Sequence, residues 1–234
     1  MSSALKRIIN KDIKEVINQN LISLGIYIHF DEDNMMKAKA MIVGPKGSLY
    51  ENGFLFFDIT FPKNYPFSPP DISYISRNSI RIHPNLYVGQ HSSGNGKVCL
   101  SILGTWSGPK WTSIMDITAV LMCIQSLLDG NPLHHEPGQE NNNSESNNVY
   151  NSVIKYESIN TLLLKNYIDP PIGFEIFHEN MKSEIDKIKE EQVKKLEIMN
   201  TENPKIIKAL VPIYRINTII DYSKLLRNFK ALIL

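Results

Sequence analysis

The chain predicts an α/β protein of the α+β kind: an N-terminal helix, a four-stranded antiparallel meander, then a run of helices. Three observations carry this. Apolar residues recur near a 3.6-residue period over residues 4–19. Three strand-like runs with short, turn-rich connections follow, and helical periodicity returns after residue 113. At 234 residues the chain has room for one large domain, or a medium one with an appendage. Hydrophobic residues at 42% suffice for a packed core.

The first helix carries Leu5, Ile8, Ile9, Ile13, Val16 and Ile17, with Lys6, Arg7, Lys11 and Lys14 between them. Periodicity alone makes that basic side a solvated surface. Strands are expected over 25–30, 37–43 and 53–61, bounded by Asp31-Glu32-Asp33-Asn34, Gly44-Pro45-Lys46-Gly47 and Pro62, with a fourth over 72–76. Tyr65-Pro66-Phe67-Ser68-Pro69-Pro70 contains a PxxP, which between two strands reads as a rigid extended connection. Residues 113–128 predict a largely buried central helix with Ser113 or Thr112 as N-cap and Gly130 just past its end. Cys123 lies on it as a core thiol.

The polar stretch 138–148, rich in Asn and Ser, predicts a flexible linker. The expected organisation is therefore a core at 1–140, a linker at 141–149 and a helical extension at 150–234 that completes or packs on the core. In the extension, Tyr150 to Leu163 predict one helix ending before Asp169-Pro170-Pro171. Phe177, Met181, Ile185 and Ile188 predict a second reaching toward Leu196, too short in its repeat for a coiled coil. The last segment, from Asp221, ends apolar and should dock.

Composition excludes several classes. A net charge of +1 argues for neither nucleic acid nor an acidic membrane surface as partner. Two cysteines exclude a disulfide framework and suit a reducing compartment. The first seven residues lack the apolar core of a secretory leader, and no stretch nears the roughly 18 apolar residues of a membrane span. A cytoplasmic or nuclear location is the expectation. Cys99 and Cys123 are far from CxxC spacing and no His pair completes a zinc site, so no metal is expected.

The chemistry centres on Cys99, in Gly96-Lys97-Val98-Cys99-Leu100-Ser101, with His83-Pro84-Asn85 upstream. A free thiol has a pKa of about 8.5, and no neighbour in sequence activates it strongly; Lys97 adds only a nearby positive charge. That suits an acyl carrier, which receives its cargo from an activated donor and needs no cofactor. A nucleophile with its own water-activating base would hydrolyse that cargo. The papain-type ingredients Cys, His and Asn are present, but the sequence contexts of those proteases are not. His83 precedes Pro84 and should pin a turn, whereas His91 lies in a Ser- and Gly-rich loop. His134 and His135 follow Asn131-Pro132-Leu133, where a loop could return to Cys99. They are either a base there or surface histidines.

These motifs, in this order, resemble the ubiquitin-conjugating (E2) enzymes over essentially residues 1–140. They are Gly44-Pro45, Tyr50-Glu51-Asn52-Gly53-Phe54, Phe61-Pro62-Lys63-Asn64-Tyr65-Pro66, His83-Pro84-Asn85, Gly96-Lys97-Val98-Cys99-Leu100 and Trp111-Thr112-Ser113. Residues 98–109, and Asn131-Pro132 through Glu136-Pro137-Gly138, are similar to the extended signature of the Z-type subfamily. The tail resembles it more loosely. The resemblance implies a UBC-like fold and a transferase. Cys99 would accept ubiquitin or a ubiquitin-like modifier as a thioester from an activating enzyme, and a lysine of a protein substrate would then attack it. Asn85 would steady the loop and help stabilise the oxyanion. Lys6, Arg7 and Lys11 would face the activating enzyme, and Phe67 and Ile114 a RING or other ubiquitin ligase. The contrasting reading is an inactive E2-like module that only binds ubiquitin, and Cys99 argues against it.

Four departures from the family pattern stand out. Residues 88–95 form an apparent extra loop between Asn85 and Cys99, placed to steer access to the cysteine. Ser101 stands where many members have an acid. His134 is the nearest match to the acid that helps deprotonate the incoming lysine, and Ser113-Ile114 replaces the usual Ser-Pro-Ala ligase contact.

Overall fold

The computed structural model describes residues 2–233. Residues 3–18 form helix α1, with a π-helical turn at Ile8–Asp12 inside it. Six strands then build one antiparallel sheet: β1 (Ile26–Phe30), β2 (Lys37–Val43), β3 (Phe54–Thr60), β4 (Asp71–Tyr74), β5 (Leu86–Gln90) and β6 (Gly96–Val98), in the order β1-β2-β3-β4-β6-β5. The first four are the expected meander. The other two correct it: the segment expected as an extra loop at 88–95 belongs to a hairpin that widens the sheet. Its tip is held away from Cys99, because β6 runs from the tip toward the cysteine and His91 at the tip bonds Asp71 at 2.9 Å.

Helix α2 (Ile117–Leu127) is the central helix, with Ile117, Val120, Leu121 and Ile124 wholly buried. Its N-cap is Asp116, whose carboxylate accepts from the Ala119 amide, and not Ser113 or Thr112. The start is displaced because Asp12, buried in the π turn of α1, already accepts from the Ile117 amide at 2.9 Å and from the Tyr65 hydroxyl. One carboxylate thus ties together α1, the proline-rich connection and α2. Burial raises the Asp12 pKa against these hydrogen bonds and the Arg7 charge. Cys123 is half-buried against the core and not enclosed in it.

The segment 141–149 is not a free linker. Ser144 caps helix α3 (residues 145–168, with a π-helical stretch at Ser158–Lys165), and Asn147 is buried with its amide on the Asn142 carbonyl at 2.7 Å. Polar composition signals disorder only where the polar groups find no partners; here they cap and turn. Helix α4 (His178–Glu202) follows. The extension is then not wholly helical, because β7 (Ile207–Val211) and β8 (Ile216–Ile220) form a separate hairpin before helix α5 (Tyr222–Ile233). Ala209, Val211, Ile216 and Ile220 of the hairpin are buried while Lys208, Leu210, Asn217 and Ile219 are exposed, the alternation of a sheet with one wet face.

β3 begins Phe54-Leu55-Phe56-Phe57, and all four side chains are wholly buried. A strand apolar on both faces must be covered on both. Leu55, Phe57 and Ile59 share the buried core with the apolar residues of α2. On the other face, the row Tyr27, Met41, Phe56 meets the extension. The Phe174 ring lies 5.0 Å from that of Phe56 and Phe177 lies 6.4 Å from it, while the Tyr27 hydroxyl donates to Glu184 at 2.6 Å. Phe174→Ala should therefore cost about 3–5 kcal/mol and leave a single unfolding transition in urea. Two resolved transitions would show an extension that folds independently.

Candidate active site

Cys99 follows β6 directly, and its backbone is clamped from one side. Its N–H donates to the Asn85 carbonyl at 2.9 Å, and its carbonyl accepts from Asn85 Nδ2 at 2.8 Å. Asn85 is itself held by His83, whose Nδ1 accepts the Asn85 amide while Nε2 donates to the Leu127 carbonyl, each at 3.0 Å. His83 is fully buried, and burial pushes its pKa down to about 3, with His135 and Arg81 adding to the effect. It is a neutral pin between two loops, the turn-holding role its place before Pro84 predicts. Beyond the cysteine, Thr105 Oγ1 donates to the Val98 carbonyl at 2.8 Å and accepts from the Leu100 amide at 2.9 Å. Leu100 and Ile102 anchor the loop in the core.

The residue is only 2% exposed. Burial raises the thiol pKa, and the nearby Glu136 carboxylate adds to the rise; Lys97, the Tyr87 hydroxyl and Arg81 oppose it. Arg81 is sandwiched between rings, with its guanidinium 3.7 Å from the centre of Tyr87 and 4.8 Å from that of Tyr214. It also bonds the Pro84 carbonyl, and its own carbonyl accepts from the buried Tyr150 at 2.9 Å. The Tyr214 hydroxyl donates to Glu136 Oε2 at 2.6 Å. The charges acting on the thiol are therefore Lys97, Arg81 and Glu136, and the extension reaches this group through Tyr214, which bonds Glu136 and packs on Arg81.

The expected site is reached only in part. Asn85 and Cys99 meet, and the Asn85 amide is bonded to the Cys99 carbonyl. His134 is not the group beside the thiol: its Nε2 donates to the Asn142 carbonyl at 3.1 Å. His135 bonds Asp129 at 2.8 Å. Two residues further on, Glu136 meets Arg81 and Tyr214 and is the acid whose charge acts on the thiol. Ser101 opens the half-buried turn after the cysteine and no acid stands there. Arg81, Tyr87 and Tyr214 were missed as well. The first two flank His83-Pro84-Asn85, and Glu136 lies in the signature quoted above, but nothing in sequence marks Tyr214.

Among the outward-facing candidates, Lys6 is exposed, whereas Arg7 and Lys11 are engaged within the chain. Arg7 bonds the Met115 carbonyl at 2.7 Å, and Lys11 bonds that of Ile114 at 2.6 Å. Both hold the turn that presents Ile114, which is 75% exposed; Phe67 is 78% exposed. The Trp111 indole N–H on the Pro66 carbonyl, at 2.6 Å, links the two segments. Among the described residues no His, Cys, Asp and Glu group is arranged to hold a metal ion, and no helix is long and apolar enough to cross a membrane.

Residues 8–158 match the family model described as ubiquitin-conjugating enzyme, so the chain belongs to that family. Within it the similarity is to the E2 Z type. The chain is 43% identical to ubiquitin-conjugating enzyme E2 Z of Homo sapiens over 139 residues, which are 58% of this chain and 37% of the relative. For E2 Z of Xenopus tropicalis the figures are 42% identity over 139 residues, 58% and 42%. The "Probable ubiquitin-conjugating enzyme E2 25" of Arabidopsis thaliana aligns further, 38% identical over 182 residues, 73% of this chain and 27% of that one. The match thus covers about two fifths of the length of the E2 Z relatives. Among solved structures, one from Plasmodium yoelii assigned provisionally to the same family superposes with a TM-score of 0.50 at 27% identity, covering 66% of this chain and 92% of that one.

Because the thiol is covered and its pKa raised, Cys99 should alkylate slowly with iodoacetamide at pH 7. The rate should keep climbing roughly tenfold per unit past the ordinary thiol value of about 8.5. Peptide mass spectrometry separates it from Cys123, and a rate that levels off below that value would contradict the assignment.

Proposed function

We propose that the chain is an active E2 that carries ubiquitin or a ubiquitin-like modifier on Cys99 and passes it to a lysine of a protein substrate. The observation that carries this is the clamp: a thiol at a strand end, its N–H and its carbonyl both bonded by Asn85. In loading, the Cys99 thiolate attacks the donor thioester carbonyl. Its C–S bond forms, the donor's breaks, and the donor sulfur leaves as thiolate and takes up the proton that Cys99 lost. In transfer, a lysine whose ammonium has lost one proton to solvent water attacks the same carbonyl. The C–N bond forms, Cys99 leaves as thiolate, and the second amine proton restores the thiol.

A covered thiol of raised pKa, with no histidine hydrogen-bonded to it among the described residues, is a poor hydrolase, which supports carriage. Glu136 replaces His134 as the group that receives the incoming lysine: its carboxylate accepts hydrogen bonds from the ammonium and orients it toward the thioester. An exposed Phe67 and Ile114 form the ligase-facing surface, and Lys6 is the cation left to meet an activating enzyme. No cofactor enters the cycle. A thiol that works only when reduced fits a cytoplasmic or nuclear setting.

A loading assay with activating enzymes, ATP and either ubiquitin or a ubiquitin-like modifier should give a band removed by reducing agent and absent from Cys99→Ala. Asn85→Ala should leave some loading and slow transfer to lysine about 10²-fold. No reducible band with any modifier would return the chain to the binding-only reading.

A further inference from the structure

The extension touches the site at one residue that the proposed chemistry has not used. Tyr214 sits in the 3₁₀ turn Pro212–Tyr214 that joins β7 to β8, more than a hundred residues beyond Cys99. Its hydroxyl donates to Glu136 Oε2 at 2.6 Å, and the same oxygen faces the Arg81 guanidinium at 3.8 Å. Among the described residues, Glu136 Oε1 has no hydrogen-bond partner, and the side chain is 26% exposed. One carboxylate oxygen is tied down and the other is open. The Tyr214 ring is held too, at 5.4 Å from the fully buried Tyr150 and against Arg81. The hairpin behind it is anchored through Val211 and Ile216, both buried.

We infer that Tyr214 is a positioning residue for lysine transfer: its hydroxyl fixes Glu136 so that Oε1 alone is presented to the incoming ammonium. This rests on the role given to Glu136 above. A carboxylate on a flexible side chain has two equivalent oxygens and several rotamers, and each misdirected arrangement places the amine away from the thioester. A phenol on a rigid hairpin removes that freedom before the amine arrives. The acid whose charge acts on the thiol thereby acquires a direction, and its orienting group comes from the extension.

The test starts from full-length protein pre-loaded with modifier and follows single-turnover discharge to free lysine and, separately, to hydroxylamine. Hydroxylamine is uncharged at neutral pH and offers Glu136 no ammonium to receive. Tyr214→Phe keeps the ring on Arg81 and Tyr150 and removes only the hydroxyl. It should slow lysine discharge about tenfold, the worth of a hydrogen bond to a charged group, mainly by raising the lysine concentration needed for half-maximal rate. Hydroxylamine discharge should fall by a much smaller factor. In a Glu136→Gln background the Tyr214→Phe change should add nothing. Equal slowing toward both nucleophiles, full additivity with Glu136→Gln, or a wild-type lysine rate would each overturn the proposal. A wild-type lysine rate in Glu136→Gln alone would instead remove the role of Glu136. Failure of the unaltered chain to load at all would sink the conjugating function and this inference with it.

Discussion

The fold depends on β3 being apolar on both faces. Phe54, Leu55, Phe56 and Phe57 are each wholly buried, so the sheet needs a layer on either side. One layer shares its core with α2; the other is built by the extension through Phe174, Phe177 and α4. Burying an aromatic side chain stabilises by a few kcal/mol, a large fraction of the net stability of a domain. The residues after 140 are therefore part of what keeps the six-stranded sheet folded. Covering Phe56 brings the chain round to the sheet, and from there the β7–β8 hairpin reaches Arg81 and Glu136.

The site uses a rigid backbone and an unactivated side chain. Asn85 holds Cys99 through two hydrogen bonds and is held in turn by a histidine that burial keeps neutral. The sulfur itself is covered and its thiolate disfavoured. That combination is coherent for a carrier. Geometry is what transfer between two bound partners needs, while a standing thiolate would invite side reactions. The carboxylate that adds to the rise of the thiol pKa is also the one proposed to receive a cationic amine. Asp12 plays the parallel structural part, tying α1, the proline-rich connection and α2 at a single buried point.

Much of this was legible along the chain. The four-strand meander, the first helix, the central helix and the two long helices of the extension follow from period and turn residues, which are local properties. Cys99, Asn85 and the turn-holding His83 were legible because their roles are set by near neighbours. Other features were not. The hairpin at 88–95 looked like a loop because Gly and Ser dominate it, and its pairing is decided by β4 next to it. The polar run at 141–149 looked flexible because composition does not show that Ser144 and Asn147 find partners. No element was expected over residues 203–220, where the β7–β8 hairpin stands.

The sequence by itself determined the family, the cysteine proposed as nucleophile and the asparagine that clamps it, since each is written in contiguous residues at characteristic spacing. Tertiary structure alone decided that Glu136 meets Tyr214 and Arg81 while His134 meets Asn142. The turn after Pro132 points the histidine to the Asn142 carbonyl and carries the next acid to Arg81 and Tyr214. Tyr214 could not be read at all. Its meaning lies in a contact across more than seventy residues, and one-dimensional periodicity reports only which face of an element is apolar, never what that face will meet.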